Sequence, residues 1–103
     1  MNSIALEHSS SGRCVLRVRC SLVGPDAKAF AEVVENLIDD LPRDVIVDLG
    51  GSEVINSLSL SALLRLHGEL EERRGRFTLV NVRPTVRQML ELTSVDDLFE
   101  VRP

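Results

Sequence analysis

Residues 45–66 read VIVDLGGSEVINSLSLSALLRL, and this stretch decides the fold. Val45-Ile46-Val47 is a β-branched apolar run, apolar on both faces, as an interior strand of a sheet covered on one or both sides requires. Gly50-Gly51-Ser52 breaks it. A short apolar pair, Val54-Ile55, precedes the tetrad Asn56-Ser57-Leu58-Ser59, which runs straight into leucines at helical spacing. Buried strand, loop and serine-rich helix start aim hydroxyls and free backbone N–H groups at one point of the surface.

Upstream, Ile4 to His8 and Cys14 to Val18 read as two strands around a Ser9–Gly12 turn cluster, hence an N-terminal hairpin with Arg17 and Arg19 outward. Gly24-Pro25-Asp26 opens a helix, with Pro at its first helical position and an acid in the first turn favoured by the dipole. Ala27, Phe30, Val33, Val34, Leu37 and Ile38 hold its apolar stripe, and Pro42 closes it. Downstream, Leu60, Leu63, Leu64 and Leu70 mark the inward side of a second helix that Gly75 is placed to cap. Phe77 to Val82 is a further interior strand, and Pro84-Thr85 opens a third helix with Val86, Met89 and Leu90 inward. Val95 to Val101 suits a short helix or turn and an edge strand. The predicted architecture is a single α/β domain over residues 1–103. It has a mixed sheet of 4–5 strands and 3–4 helices, an N-terminal hairpin being followed by βα units.

Composition narrows the function classes. A net charge of −4 and no Trp or Tyr for stacking on bases argue against direct nucleic-acid binding. No apolar run approaches the roughly 18 residues of a membrane span, and the N-terminus lacks a basic region leading into an apolar core, so the expectation is a cytoplasmic protein. Cys14 and Cys20 sit on one predicted strand at about 20 Å separation, beyond disulfide reach. With two cysteines and two histidines, no zinc pattern is present. Gly50-Gly51-Ser52 lacks the Lys of a phosphate-binding loop, and no Gly-x-Ser-x-Gly elbow occurs. Asp26 and Asp48 have no reason to converge on a metal, and His8 and His67 have no visible nucleophile partner. The expected protein is not an enzyme and carries no cofactor.

Three phrases resemble the STAS domain, the fold of bacterial anti-sigma-factor antagonists and of the cytoplasmic tails of sulfate transporters. They are VIVDLGGSEVINSLSLSALLRLH, GRFTLVNVRPTVRQML and LELTSVDDLFEV, in that order. In these antagonists the helix start usually reads Asp-Ser-Ser-Gly or Asp-Ser-Thr-Gly, and its first hydroxyl accepts phosphate from a partner kinase. The resemblance sets Asn56 at the Asp, Ser57 at the phosphoacceptor, Leu58 at the second hydroxyl and Ser59 at the Gly. Cys20-Ser21-Leu22-Val23 stands where Gly-Glu-Leu-Asp is usual, so Val23 replaces the loop acid.

The resemblance implies an antagonist that binds an anti-sigma factor with a serine-kinase fold and is switched off by phosphorylation of Ser57. Its contact surface would comprise Asn56, Ser57, Leu58, Ser59 and Leu60, with Leu22, Val23 and Asp26 beside them, in a monomer or weak homodimer. ATP would be bound by the kinase. Plainer readings exist for the same residues. Ser57 serves as a helix N-cap worth about 1 kcal/mol, and Asn56 as a turn residue. Leu58, one position off the inward stripe, is then a lone exposed leucine. On these readings the chain is a phosphorylation-independent STAS module: a constitutive antagonist, or a scaffold or transport-complex subunit. A small enzyme with Ser57 as nucleophile would need a base that the sequence does not show.

Overall fold

Alternating burial along the strands sets the architecture. The computed structural model describes residues 3–9 and 11–103; Met1, Asn2 and Ser10, the last within the predicted Ser9–Gly12 turn, lie outside the described residues. The order is β1 (Ile4–His8), β2 (Arg13–Val18), α1 (Gly24–Asp39), β3 (Asp44–Asp48), α2 (Ser57–Glu72), β4 (Arg76–Val80), α3 (Pro84–Leu92) and β5 (Glu100–Val101). The five strands form one sheet in the order β1-β2-β3-β4-β5. β1 pairs antiparallel with β2, and the other neighbours are parallel. No helix among the described residues is long and apolar enough to cross a membrane.

Cys14, Leu16 and Val18 of β2, Val45 and Val47 of β3, and Phe77 and Leu79 of β4 point to the buried face. Phe30 and Val34 of α1, Leu63, Leu66 and Leu70 of α2, and Val86 and Leu90 of α3 join them in a single core. The helices therefore cover one face only. The apolar content of β3 on both faces has a different cause from two-sided burial. Val15, Ile46 and Val80 on the open face are half-buried, and Ile46 and Val80 line a shallow pocket with Arg13, Asp44, Arg76 and Arg102. On the same face Arg17 bridges Glu7 at 2.6 Å and Asp48 at 3.1 Å. Thr78 donates to Glu100 at 2.7 Å, and this bond, more than Arg76 and Arg102, holds the Glu100 carboxyl below the usual range.

Two expected features are corrected. The strand expected over Phe77–Val82 starts at Arg76 and ends at Val80, because Asn81 takes a positive φ of 55° and turns the chain. Gly75 is not the left-handed residue that closes α2: Arg74 is, with φ 57°. Arg74 N–H donates to the Glu71 carbonyl at 3.1 Å and Gly75 N–H to that of Leu70 at 2.7 Å, the paired bonds of a Schellman ending. Glycine is needed at 75 for proximity, since a Cβ there would meet the Arg43 carbonyl at 2.5 Å. Cys14 and Cys20 are both free thiols, and burial pushes Cys14 up to about 11.

Candidate functional site

Two loops leave the carboxyl ends of β2 and β3 and are bonded together along their length. Gly51 N–H donates to the Val18 carbonyl at 3.1 Å, and Ser52 Oγ to that of Cys20 at 2.6 Å. Ser21 Oγ accepts from the Glu53 and Val54 N–H groups, each at 3.2 Å. Leu22 and Ile55 then form a parallel bridge, with Leu22 N–H on the Val54 carbonyl at 2.8 Å and Asn56 N–H on the Leu22 carbonyl at 3.1 Å. From the other side, Arg83 Nε donates to the Gly50 carbonyl at 2.7 Å and Thr85 Oγ1 to that of Glu53 at 2.7 Å. Asp48 holds the root of the loop through the Gly50 N–H, Asn81 and Arg17. A frame with this many bonds presents the start of α2 in one orientation.

That start is a reciprocal cap. Asn56, in extended conformation, accepts the Ser59 N–H on Oδ1 at 3.0 Å, and Ser59 Oγ accepts the Asn56 N–H at 3.0 Å. Serine here takes the role that Glu or Gln plays in the usual capping box. Ser59 Oγ also lies 3.2 Å from the Leu22 carbonyl and 3.0 Å from that of Asn56, so its proton has acceptors. The N-cap is thus Asn56, neither a plain turn residue nor displaced by Ser57, because only the residue before the first helical one has the extended backbone a cap needs. Ser57 begins the helix with its hydroxyl exposed. Among the described residues, nothing accepts from the Ser57 and Leu58 N–H groups, which sit at the positive end of the helix.

Of the anticipated contact residues, Leu22 and Ser59 are corrected. Both are 0% exposed, so they build the frame and do not face a partner. Leu60 is half-buried against the core. Asn56 is half-buried, while Val23, Asp26, Ser57 and Leu58 are exposed. Val54 belongs with them. It was legible as half of an apolar pair, yet only the Leu22–Ile55 bridge shows that Ile55 turns inward and Val54 out. Val23, Val54 and Leu58 are 41%, 46% and 46% exposed, an apolar group around the helix start. Beside it, burial first and then the charge of Asp26 push the Cys20 thiol up, so at neutral pH it is protonated and a weak nucleophile. His67 lies in the third turn of α2, packed against Phe77 and Phe99 and paired with Glu71 at 3.4 Å. Among the described residues, no cluster of three or more His, Cys, Asp or Glu forms a metal site.

The chain that folds into this strand, bonded loop and capped helix matches the STAS domain family model over residues 3–103. The chain belongs to the STAS family. Among relatives of this STAS domain is BtrV of Bordetella bronchiseptica, named as a candidate anti-sigma factor antagonist. It is 30% identical over 64 residues, covering 62% of this chain and 55% of BtrV, so the match spans about half of that protein. An anti-sigma factor antagonist from Mycobacterium paratuberculosis is 25% identical in structure-based alignment. It covers 97% of this chain and 84% of its own, with a TM-score of 0.84. The Bacillus cell fate determinant SpoIIAA, in its phosphorylated form, shares the fold at 19% identity and TM-score 0.74, covering 95% and 89%.

Truncating Ser59 tests the frame. Ser59→Ala removes the Oγ half of the reciprocal cap from a buried position, while the residue 59 N–H still donates to Asn56 Oδ1 and Asn56 N–H keeps the Leu22 carbonyl as acceptor. The expected loss is about 1 kcal/mol, read by chemical denaturation, with an unchanged m-value. Ser57→Ala, exposed and outside the box, is expected to change stability by less than about 0.5 kcal/mol.

Proposed function

We propose that this STAS domain is an anti-sigma factor antagonist acting by partner switching in the cytoplasm. Unphosphorylated, it binds an anti-sigma factor with a serine-kinase fold. The contact is made through Val23, Asp26, Val54, Asn56, Ser57 and Leu58, and the sigma factor is released. Phosphorylation of Ser57, with ATP on the kinase as donor, ends that binding. The chain itself is a binding module with no catalysis of its own.

The observation that carries this reading is the start of α2: an exposed Ser57 hydroxyl beside two unoccupied helix N–H groups, on a rigid frame with exposed apolar neighbours. A phosphate there adds roughly −1.5 to −2 charges where the helix dipole and free donors receive it. The domain stays folded while its contact surface becomes charged and bulky, which opposes docking. The names of BtrV and of the Mycobacterium paratuberculosis protein agree with the antagonist assignment.

Val23 and Leu58 favour one second reading, a constitutive antagonist, because each replaces a polar family residue with an exposed apolar one. Intact-mass analysis after incubation with candidate anti-sigma kinases and ATP separates the two. The switch predicts one phosphate on the wild type and none on Ser57→Ala. A stable kinase complex without phosphate supports the constitutive form. Neither binding nor phosphate across the full candidate set sinks both.

A further inference from the structure

The edge strand β1 presents unpaired backbone over a partly apolar groove. Arg19 N–H donates to the Ser3 carbonyl and Ser9 N–H to that of Arg13, which fixes the alternation of the β1–β2 ladder. With Leu6 opposite Leu16, residues Ala5 and Glu7 exchange bonds with β2. The N–H and C=O groups of Ile4, Leu6 and His8 point away from the sheet. Among the described residues nothing pairs with them. IALEH has no proline or lysine to protect the edge, and its one carboxylate, Glu7, is paired with Arg17 of the neighbouring strand. On the helix side, Leu6 and His8 share with Val33, Asn36, Leu37 and Asp40 of α1 a groove of about 340 Å³. Leu6 is 39% exposed at its rim.

We propose that β1 is a self-association edge, on which the β1 of a second copy pairs antiparallel about a two-fold axis at Leu6. The occupant is a second copy because this register is self-complementary. Leu6 stands opposite Leu6 of the second copy, and Ile4 opposite its His8, so three apolar-side pairs fall over the merged grooves. On the open face Ala5 stands opposite Glu7, and Glu7 remains on its own Arg17 at 2.6 Å. No like charges are directly opposed, the condition under which cross-strand pairs stabilise. The outward groups of Ile4, Leu6 and His8 all find partners, and two five-stranded sheets become one. Because the two-fold reverses strand direction, the α2 starts lie at opposite ends of the joined sheet. Both Ser57 sites stay open, and the assembly offers two docking surfaces.

Sedimentation across protein concentration, combined with amide hydrogen exchange on the wild type, tests this pairing. Dimer is expected to grow with concentration, and the amides of Leu6 and His8 gain protection in step with it, whereas Ala5 and Glu7 are protected throughout. Leu6→Lys sets two ammonium groups opposite each other, and its dimer dissociation constant is expected to rise at least about tenfold. A protein that stays monomeric to about 1 mM overturns the proposal. So does a dimer whose Leu6 and His8 amides exchange at the monomer rate, or one that Leu6→Lys leaves intact. The wild-type exchange pattern decides the question even if the lysine variant folds poorly.

Discussion

Gly51→Ala is expected to lower the melting temperature by roughly 10–20 °C, corresponding to about 2–3 kcal/mol of overpacking in a domain of this size. A Cβ at residue 51 would meet the Cα, carbonyl carbon and carbonyl oxygen of Arg19 at 2.3, 2.6 and 2.9 Å. These are backbone atoms next to the end of β2, so no side chain can swing aside. The same residue donates its N–H to the Val18 carbonyl, so relief by displacement would also weaken that bond. Gly68→Ala is the control. It lies inside α2 with nothing within 4 Å of the added carbon, and alanine there is expected to stabilise by about 0.5–1 kcal/mol. Thermal denaturation of both variants checks the pair. A Gly51→Ala protein melting within about 3 °C of wild type would show that the two loops can separate at little cost.

That contact also marks where the sequence stops being readable. Val45 to Leu49, the α1 stripe and the leucines of α2 are periodic, and periodicity reports which face of an element is apolar, so strands and helices were legible with nearly correct ends. Gly50-Gly51 was legible as a break, but its partner strand was not, because the need for glycine at 51 arises from Arg19, distant in sequence. The open face of the sheet was hidden for a related reason. Ile46 and Val80 look like core residues until they are seen on the face opposite Val45, Val47 and Leu79, where they share a shallow pocket with Arg13, Asp44, Arg76 and Arg102. At the site, Ser57 was legible as a hydroxyl at a helix start. The one-residue question of which side chain caps the helix was not, since Asn56 and Ser57 are both good caps. Leu22 and Ser59 were assigned outward from their neighbourhood in sequence. The parallel bridge to Ile55 turns Leu22 inward, and bonds to Asn56 and to the Leu22 carbonyl hold Ser59 there.

Ser57→Glu should separate stability from binding, and this separation is the strongest consequence of the helix-start geometry. A carboxylate in the first turn of α2 meets the positive end of the helix, where the Ser57 and Leu58 N–H groups have no acceptor among the described residues. Stability is therefore expected to stay level or rise by about 0.3–1 kcal/mol. Affinity for the anti-sigma factor is expected to fall at least about 100-fold, since charge enters the contact surface beside the exposed apolar side chains of Val23, Val54 and Leu58. Ser57→Ala should retain near wild-type affinity, and Leu58→Ala should weaken binding by about 1–2 kcal/mol without adding charge. Calorimetric titration of the three variants, with melting curves on the same samples, makes the comparison. If Ser57→Glu binds as well as wild type, the helix start lies outside the contact surface and phosphorylation there cannot act as the switch. If it instead loses affinity and stability together, the carboxylate has disrupted the Asn56–Ser59 cap, and the charge-on-a-rigid-frame account gives way to local unfolding.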